Sequence, residues 1–205
     1  MTHIVVLGGT GFVGSGILQE LSKNSAYTLT SISKTGGDPQ KHLAGVHYEA
    51  ANLTKKGAWQ TEIAKADWVI DCVGILRPSR KKKTSYEQNS LLPALQAIDA
   101  IKDSKTSFLF INANAAPIPE YMAFKHAVAD YADQQLGSRA HNVYPGLVYG
   151  PERKSTYWLG RTLNFLINQC HLTILKQYRP VTQGDLASAV DQVLKHENTP
   201  LTHRI

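Results

Sequence analysis

A glycine-rich segment near the start of the chain has the residue types and spacing to bind a phosphorylated ligand. The sequence GGTGFVG at residues 8–14 follows an apolar run at 3–7 and opens an amphipathic run at 12–23. Glycines permit a tight strand-to-helix turn and let backbone N–H groups approach a pyrophosphate, which the positive end of the helix dipole also attracts. This context predicts dinucleotide binding, with a purely structural tight turn as the alternative. The predicted binding residues are Gly8, Thr10, Gly11, Phe12, Val13 and Gly14.

The end of the second predicted strand indicates which dinucleotide is favoured. An acidic residue there would bind the adenosine ribose hydroxyls of NAD, but residues 31–37 read SISKTGG and contain no carboxylate. Ser33 and Lys34 can instead hydrogen-bond and neutralise a 2′-phosphate. We therefore expect NADP as the cofactor, with NAD as the second choice. Asn52 and Leu53 follow the third predicted strand and either bracket the adenine or simply form the loop before a helix.

A second chemically informative pair is Tyr121 and Lys125, which form a Y-x-x-x-K motif. Residues four apart share one face of a helix, and this helix follows the fifth predicted strand, beside the edge at which a doubly wound sheet binds ligands. A lysine ammonium beside a phenol is expected to lower the phenol pKa from its usual value of about 10. The pair could then exchange a proton with a hydroxyl or carbonyl group while hydride moves to or from a nicotinamide. The alternative is an ordinary amphipathic helix with Tyr121 half buried at its start.

Basic residues are concentrated in one segment, residues 77–83, which we call the basic loop. The 205-residue chain has 22 Lys and Arg against 16 Asp and Glu, and five of those cations lie in this loop. Nucleic-acid binding proteins usually spread charge over a face, so a single loop without interleaved aromatic residues makes nucleic acid an unlikely partner. The loop follows the fourth predicted strand. It either closes over a phosphate or an acidic substrate, or it is a mobile surface loop.

The composition excludes several protein classes. Hydrophobic residues make up 42% of the chain and charged residues 19%, which is typical of a soluble globular protein. No apolar run approaches the ~20 residues of a membrane span. Cys72 and Cys170 form at most one bridge, and the histidines lack metal-ligand spacing, so we expect neither a disulfide scaffold nor a metal site. No targeting peptide precedes the first strand, so we expect a cytoplasmic monomer or homodimer.

Strands and helices alternate along the first 150 residues. Apolar runs predict strands at 3–7, 27–33, 46–48, 68–73, 108–112 and 141–144. Amphipathic runs predict helices at 12–23, 54–65, 85–102 (with a kink at Pro93) and 120–136. This alternation implies right-handed crossovers and an α/β fold with a doubly wound parallel sheet.

The alternation loosens beyond residue 150. A helix is predicted at 159–169, a strand at 172–175 and a last helix at 185–195. We assign residues 1–150 to an NAD(P)-binding domain. Residues 151–205 are too few for an independent domain, and we expect them to form a small α/β extension that walls a substrate pocket.

Together these motifs resemble the extended or atypical type of short-chain dehydrogenase/reductase over nearly the whole chain. The likeness includes DCVG at 71–74, YPGLVYGP at 144–151 and PVTQGDLA at 180–187. The resemblance implies a Rossmann fold in which Lys125 binds the nicotinamide ribose. It also implies further cofactor contacts from Cys72, Val73, Gly74, Pro145, Gly146 and Leu147.

The segment DCVGIL is similar to an atypical branch related to an accessory subunit of respiratory complex I and to a ubiquinone-biosynthesis protein. Several members of that branch are thought to bind NADP(H) without turning over a known substrate. Asn89 also resembles a helix asparagine that faces the site in many members of the wider family.

The sequence departs from the family at the end of the fifth predicted strand, where family members place a Ser or Thr. Here Asn112 and Asn114 occupy that region. An amide can donate a hydrogen bond to a carbonyl oxygen, but it is a poorer proton relay than a hydroxyl.

The sequence is therefore compatible with two functions. The first is an NADP-dependent oxidoreductase, epimerase or dehydratase acting on a small carbonyl or hydroxyl compound, with Tyr121, Lys125 and Asn112 as catalytic residues. The second is a non-catalytic NADP(H)-binding regulatory or accessory protein.

Overall fold

A computed structural model describes residues 1–168 and 173–205 of the chain. Its main strands are β1 (Thr2–Leu7), β2 (Tyr27–Ser33), β3 (Val46–Ala50), β4 (Trp68–Asp71), β5 (Ser107–Ile111) and β6 (Ala140–Val143). They form one parallel sheet in the order β3-β2-β1-β4-β5-β6, which confirms the predicted doubly wound α/β fold. The strand order reverses between β1 and β4, and a ligand-binding crevice is expected beyond the carboxyl ends of the strands at such a point.

Helices cover both faces of this sheet. The helices are α1 (Phe12–Leu21), α2 (Ala58–Lys65), α3 (Leu92–Ile101), α4 (Pro119–Leu136), α5 (Lys154–Asn168) and α6 (Gln183–Leu194). The side chains of α1 and α6 pack with one face of the sheet, and those of α2, α3 and α4 pack with the other. None of the helices in the described ranges combines the length and the apolar composition of a bilayer-spanning segment.

The first strand shows why its sequence is continuously apolar. Ile4 and Val6 point into the core formed with α1 and α6, whereas Val5 and Leu7 point into the core on the opposite face. All four side chains are fully buried. Successive side chains of a strand alternate between faces, so a strand covered by helices on both sides needs apolar residues at every position.

Local hydrogen bonds explain where element bounds differ from the predicted ones. The second helix was predicted from residue 54 but begins at Ala58, because Thr54 donates its N–H and its hydroxyl to Asn52 in a turn. The fourth strand ends at Asp71, since the Asp71 carboxylate accepts the N–H of Val73.

The long helix predicted at 85–102 is divided in the structure. Residues Glu87–Leu91 form a π-helical turn that leads into α3. Pro93 follows this turn directly in α3; it has no N–H to donate to the helical residues one turn before it, and the wider π-helical turn accommodates that lost bond. The predicted kink at Pro93 is therefore replaced by a change of helix type just before it.

The C-terminal part differs most from the prediction. Residues Thr173–Tyr178 form a 3-10 helix, so the strand predicted at 172–175 is wrong for residues 173–175. A short apolar run cannot be assigned to strand or helix by periodicity alone. The predicted positions Leu172, Gln169 and Cys170 lie outside the described residues. Two short strands that were not predicted, β7 (Val148–Tyr149) and β8 (Val181–Thr182), pair in parallel.

The last helix is part of the main core. Leu186 and Val190 of α6 are fully buried and share a cluster with Ile17 of α1. Gly16 faces Gln183, and a Cβ at Gly16 would overlap the Gln183 side chain, so glycine permits the close approach of the two helices. Tyr27 donates a hydrogen bond of 2.9 Å to Asp191, which joins β2 to the same helix.

We expect Leu186→Ala to lower the free energy of unfolding by about 2–5 kcal/mol, because it removes a fully buried side chain from the shared core. Urea denaturation followed by circular dichroism should show one transition with a lower midpoint. Ser188→Ala, on the exposed face of α6, is the control and should change stability by less than about 0.5 kcal/mol. Separate transitions for α6 and the sheet would contradict a common core.

Candidate functional site

The glycine turn between β1 and α1 depends on the absence of side chains. Gly8 has φ +78°, a conformation that favours glycine. A Cβ at Gly14 would overlap the Gly8 carbonyl group and lie 2.7 Å from the Gly9 Cα, so the turn closes only with glycine there. No side chain of the described residues caps the start of α1. The first N–H groups of α1 are thus available to an anion.

A cavity of about 550 Å³, here called the switch-point cavity, opens beyond the carboxyl ends of β1, β2, β3 and β4. The structure brings ten of the predicted cofactor-binding residues into its wall. They are Gly8, Thr10, Gly11, Ser33, Lys34, Asn52, Leu53, Cys72, Val73 and Gly74. Gly14 lies behind the turn against Gly8, and Phe12 lines a different cavity that shares Thr10 and Gly11 with the switch-point cavity.

The polar groups of the switch-point cavity fit a phosphorylated ligand. Ser33 is buried, and its hydroxyl has no hydrogen-bond partner among the described residues. Lys34 lines the same wall, and no Asp or Glu of the described chain does so. A buried hydroxyl without a partner is costly unless a ligand or water satisfies it, so Ser33 is suited to meet a ligand oxygen.

A second cavity of about 190 Å³, here called the tyrosine cavity, adjoins the first. Its wall contains the predicted catalytic residues Tyr121, Lys125 and Asn112, together with the predicted cofactor-binding residues Val13, Pro145, Gly146 and Leu147. Four residues at and after the end of β4 line both cavities: Cys72, Val73, Gly74 and Ile75. The two cavities therefore meet along the end of β4.

The turn that carries Pro145, Gly146 and Leu147 is held by contacts with a distant segment. Gly146 and Leu147 donate backbone hydrogen bonds to the carbonyls of Arg179 and Tyr178, at 3.1 and 2.9 Å. A Cβ at Gly146 would overlap the Tyr178 carbonyl group. Glycine at 146 is thus required for this wall to close.

Lys125 lies at the base of the tyrosine cavity and is almost fully buried. Its Nζ donates a hydrogen bond of 2.5 Å to the carbonyl of Ile111 and lies 4.3 Å from the centre of the Phe110 ring. Burial lowers the pKa of Lys125 to about 8, although the Asp71 carboxylate opposes that shift. An ammonium has three donors, so two remain for a ligand.

Tyr121 differs from its predicted state. Its ring packs edge-on against Phe124 with the ring centres 5.3 Å apart, and the Lys125 Nζ lies 5.8 Å from the Tyr121 ring centre. Burial raises the pKa of Tyr121 to about 12; Tyr86 adds to that rise and Arg153 opposes it. The expectation that Lys125 lowers the pKa of this phenol is therefore wrong. At neutral pH Tyr121 is therefore a protonated phenol, and its raised pKa makes it a weaker acid than an ordinary tyrosine.

The two asparagines after β5 have partners within the chain. The Asn112 amide donates to Asn142 at 3.1 Å and accepts the N–H of Ala113 at 2.8 Å. Asn114 donates to the Gln177 carbonyl at 2.6 Å and accepts the N–H of Ile205 at 2.9 Å. Asn112 lines the tyrosine cavity, but these bonds hold its amide in place, which leaves it less free to serve a substrate.

Two residues beyond the predicted motifs also line the tyrosine cavity, namely Arg153 and Thr156. Arg153 is the cation that opposes the rise in the Tyr121 pKa. Thr156 supplies a hydroxyl and donates it to the Arg153 carbonyl over 3.4 Å. Both follow the point where the strand and helix alternation ends, so no periodic pattern placed them. Their only sequence signal is their position just after the YGP turn.

Asp71 is a further residue that sequence reasoning did not single out for chemistry. It is 1% exposed at the end of β4; one carboxylate oxygen accepts the Val73 N–H at 2.8 Å, and the other has no partner among the described residues. Burial raises the pKa of Asp71 to about 6, against the opposing effects of Val73 and Lys125. Asp71 and Lys125 thus each favour the charged form of the other. Burial also raises the pKa of the neighbouring Cys72 thiol, which stays protonated.

No group of three or more His, Cys, Asp and Glu side chains within the described ranges could hold a metal ion.

Asn89, the helix asparagine, lies in the wall of the switch-point cavity, and its side-chain oxygen accepts the Ser85 N–H at 3.1 Å.

The pKa of Asp71 gives a pH-dependent stability that can be measured. The pKa of the Asp71 carboxyl group is about 6 in the folded chain, whereas its usual value is 3.8. Between these values the native state binds more protons than the unfolded state, so this group makes the free energy of unfolding fall as pH rises. Asp71→Asn removes that effect. We expect the variant to gain on the order of 2–3 kcal/mol relative to the parent between about pH 4 and 6.

The measurement is urea denaturation of both proteins at several pH values. Asp130→Asn, an exposed position on α4, is the matched control and should give a difference that does not vary with pH. A pH-independent difference for Asp71→Asn would show that Asp71 ionises like an exposed carboxyl group.

Comparison with known sequences identifies a family. Residues 4–121 match the model of the NAD dependent epimerase/dehydratase family. Among curated proteins, an epimerase family protein of Staphylococcus saprophyticus is 30% identical over 103 residues. That match covers 49% of this chain and 32% of the relative, so the matched region spans about a third of the relative's length.

Solved structures of similar fold include several epimerases. UDP-glucuronic acid 4-epimerase from Bacillus cereus, in complex with NAD, superposes with a TM-score of 0.73 at 16% identity, covering 100% of this chain and 77% of that one. UDP-glucose 4-epimerase from Thermus thermophilus, also with NAD, superposes with a TM-score of 0.70 at 18% identity, covering 94% of this chain and 74% of that one. The enzyme WbmF of Bordetella bronchiseptica superposes with a TM-score of 0.67 at 15% identity, covering 93% of this chain and 67% of that one. At these identities the likeness shows the fold.

Proposed function

Because the chain belongs to the NAD-dependent epimerase/dehydratase family, we propose that it binds a nicotinamide dinucleotide and transfers hydride to or from a small carbonyl or hydroxyl compound. One observation carries the proposal: the switch-point cavity and the tyrosine cavity share the wall formed by residues 72–75. A ligand whose pyrophosphate lies at the glycine turn would extend along this wall to Tyr121. When bound there, the nicotinamide supplies or accepts the hydride.

The residues of the switch-point cavity would hold the adenosine half of this coenzyme. The N–H groups at the start of α1 would bind the pyrophosphate, and Asn52 and Leu53 would bracket the adenine. Ser33 and Lys34 favour NADP over NAD, because a hydroxyl and a cation stand where NAD binding calls for a carboxylate.

The residues of the tyrosine cavity would position the substrate and move a proton. Two donors of the Lys125 ammonium are left for the nicotinamide ribose, since the third is bonded to Ile111. Tyr121 would give its proton to the oxygen of a carbonyl substrate as hydride reaches the carbon. Arg153 would attract an anionic group of the substrate, and the Thr156 hydroxyl would orient the reacting oxygen. The cavity volume of about 190 Å³ favours a small reacting group.

The two parts of the chain would have different roles in this function. Residues 1–150 would form the coenzyme-binding domain. Residues 151–205 supply Arg153 and Thr156 to the tyrosine cavity and α6 to the core, so they would act as a substrate-pocket extension of that domain.

A second candidate is an accessory protein that binds NADP(H) without turnover. The observation in its favour is the end of β5, where the chain has no hydroxyl and the Asn112 amide is bonded to Asn142 and Ala113. The narrower likeness to the complex I accessory subunit remains a prediction.

The coenzyme assignment is tested by Gly14→Ala. A methyl group there would overlap the backbone of Gly8 and Gly9, which cannot move aside as a flexible side chain could. We expect the turn to open and the dissociation constant for NADP⁺, measured by calorimetry, to rise at least about tenfold. Gly184→Ala is the control: its nearest neighbouring atom lies 4.0 Å from the added Cβ, and binding should be unchanged. Equal affinities for Gly14→Ala and the parent would overturn the assignment.

The catalytic assignment is tested by Tyr121→Phe. The parent and the variant are assayed for NADPH oxidation with a panel of aldehydes, ketones and quinones, and for NADP⁺ reduction and epimer formation with UDP-sugars; UDP-glucuronic acid is bound with NAD in the Bacillus cereus neighbour. We expect kcat to fall by about 10²-fold or more, while coenzyme affinity is unchanged because only the proton donor is lost.

Tyr131→Phe is the matched control for this substitution. Tyr131 lies on the same helix and donates its hydroxyl to Asp99, outside the tyrosine cavity, so its loss should leave kcat unchanged. Turnover that survives Tyr121→Phe would remove Tyr121 from the mechanism. Coenzyme binding without turnover of any panel compound would favour the accessory function.

A further inference from the structure

The basic loop is a folded turn attached to the wall of the switch-point cavity. Ser79 and Thr84 close it: the Ser79 N–H donates to the Thr84 hydroxyl at 2.9 Å, and the Thr84 N–H donates to the Ser79 carbonyl at 3.1 Å. Tyr86 anchors its base by donating its hydroxyl to the Leu76 carbonyl at 2.8 Å. The backbone positions of its cations are therefore set by the fold of the loop.

One of the five cations of the loop, Lys83, lines the switch-point cavity. Its backbone has φ +50°, a left-handed conformation that few lysines adopt. Such conformations persist where the surrounding structure imposes them, and they often occur at ligand sites. Here the conformation is held by the closing bonds of the loop. It is also held by a hydrogen bond of 3.2 Å from the Lys83 N–H to the Arg80 carbonyl.

Lys83 approaches the cavity from a different side than Lys34 does. Lys34 follows β2, whereas Lys83 belongs to the loop after β4, and β1 lies between these two strands. No Asp or Glu of the described residues lines the cavity. The cavity is thus lined by two lysines on two sides and by no carboxylate.

The charge of this cavity exceeds what a pyrophosphate alone accounts for. The N–H groups at the start of α1 serve the pyrophosphate, which leaves two lysines and the unpartnered Ser33 hydroxyl for another anion. In a dinucleotide fold, the end of β2 meets the adenosine ribose. The anion that belongs there is a phosphate on that ribose.

We propose that Lys34 and Lys83 bind the 2′-phosphate of NADP(H) from two sides, so that the basic loop is the part of the chain that selects NADP(H) over NAD(H). This inference rests on the proposed function, since it assigns the coenzyme specificity of the same site.

The test is calorimetric titration of the full chain with NADP⁺ and with NAD⁺. Lys83→Gly removes the ammonium, while glycine adopts the left-handed backbone conformation without strain, so the variant should fold. We expect its dissociation constant for NADP⁺ to rise at least about tenfold, as is typical of a lost charge-assisted hydrogen bond to phosphate. The constant for NAD⁺ should change by less than about twofold.

The matched control is Lys82→Gln, which removes one charge from an exposed position in the same loop that does not line the cavity. It should leave both dissociation constants unchanged. Adding Lys34→Gln to Lys83→Gly should bring the affinities for NADP⁺ and NAD⁺ close to each other. The thermal midpoint of each variant shows that it is folded.

Each other outcome overturns the proposal. Equal losses for NADP⁺ and NAD⁺ in Lys83→Gly would place Lys83 on a part that the two coenzymes share. An unchanged NADP⁺ constant would remove Lys83 from the site, and equal losses in Lys82→Gln would reduce the effect to general charge. Failure of the parent protein to bind either dinucleotide would overturn the proposed function itself, and the coenzyme selection with it.

Discussion

The close contact between Gly14 and the backbone of Gly8 and Gly9 is the constraint on which the site depends. It brings the start of α1 against the carboxyl end of β1, and no residue with a Cβ fits there. A Cβ at Gly9 would overlap the Ser31 hydroxyl of β2 and lie 2.8 Å from the Leu18 side chain of α1. Farther along α1, Gly16 admits Gln183 of α6. The helix is therefore fixed at its start by a backbone contact and farther along by the Gln183 side chain, and Gly11 at its start lines the switch-point cavity.

A second feature of the site is the energetic cost of its buried charges. Asp71 and Lys125 are both removed from water, and burial shifts the pKa of each toward its neutral form. A buried pair of opposite charges rarely compensates fully for lost hydration, so it stabilises a fold poorly. Replacing both groups together with apolar residues would suit the core better than the pair does, whereas removing one alone would leave the other charge buried and unpaired. Asp71 ends β4 and Lys125 lines the tyrosine cavity, so both lie at the candidate site, and ionisable groups with shifted pKa values commonly cluster at such sites.

Much of the fold and part of the site could be predicted from sequence, for physical reasons that specific residues illustrate. Apolar runs such as β1 and the glycine spacing are local signals, and the family match confirms the resemblance to short-chain dehydrogenases/reductases. The state of Tyr121 could not be predicted, because its pKa depends on burial by residues far apart in the chain. The same limit applies to Arg153 and to the helix Thr173–Tyr178, whose positions are set by tertiary contacts and not by periodicity.

The coenzyme half and the substrate half of the site depend on different kinds of contact. The family model ends at Tyr121, and up to that residue the site is built on strand ends of one sheet. The opposite wall of the tyrosine cavity is held by the bonds from Gly146 and Leu147 to residues 178 and 179, and Arg179 in turn donates to the carbonyls of Pro200 and His203. Substitutions in that network would reshape the tyrosine cavity while the glycine turn stayed intact. Substrate choice can therefore change in such a fold without a change in how the dinucleotide is held.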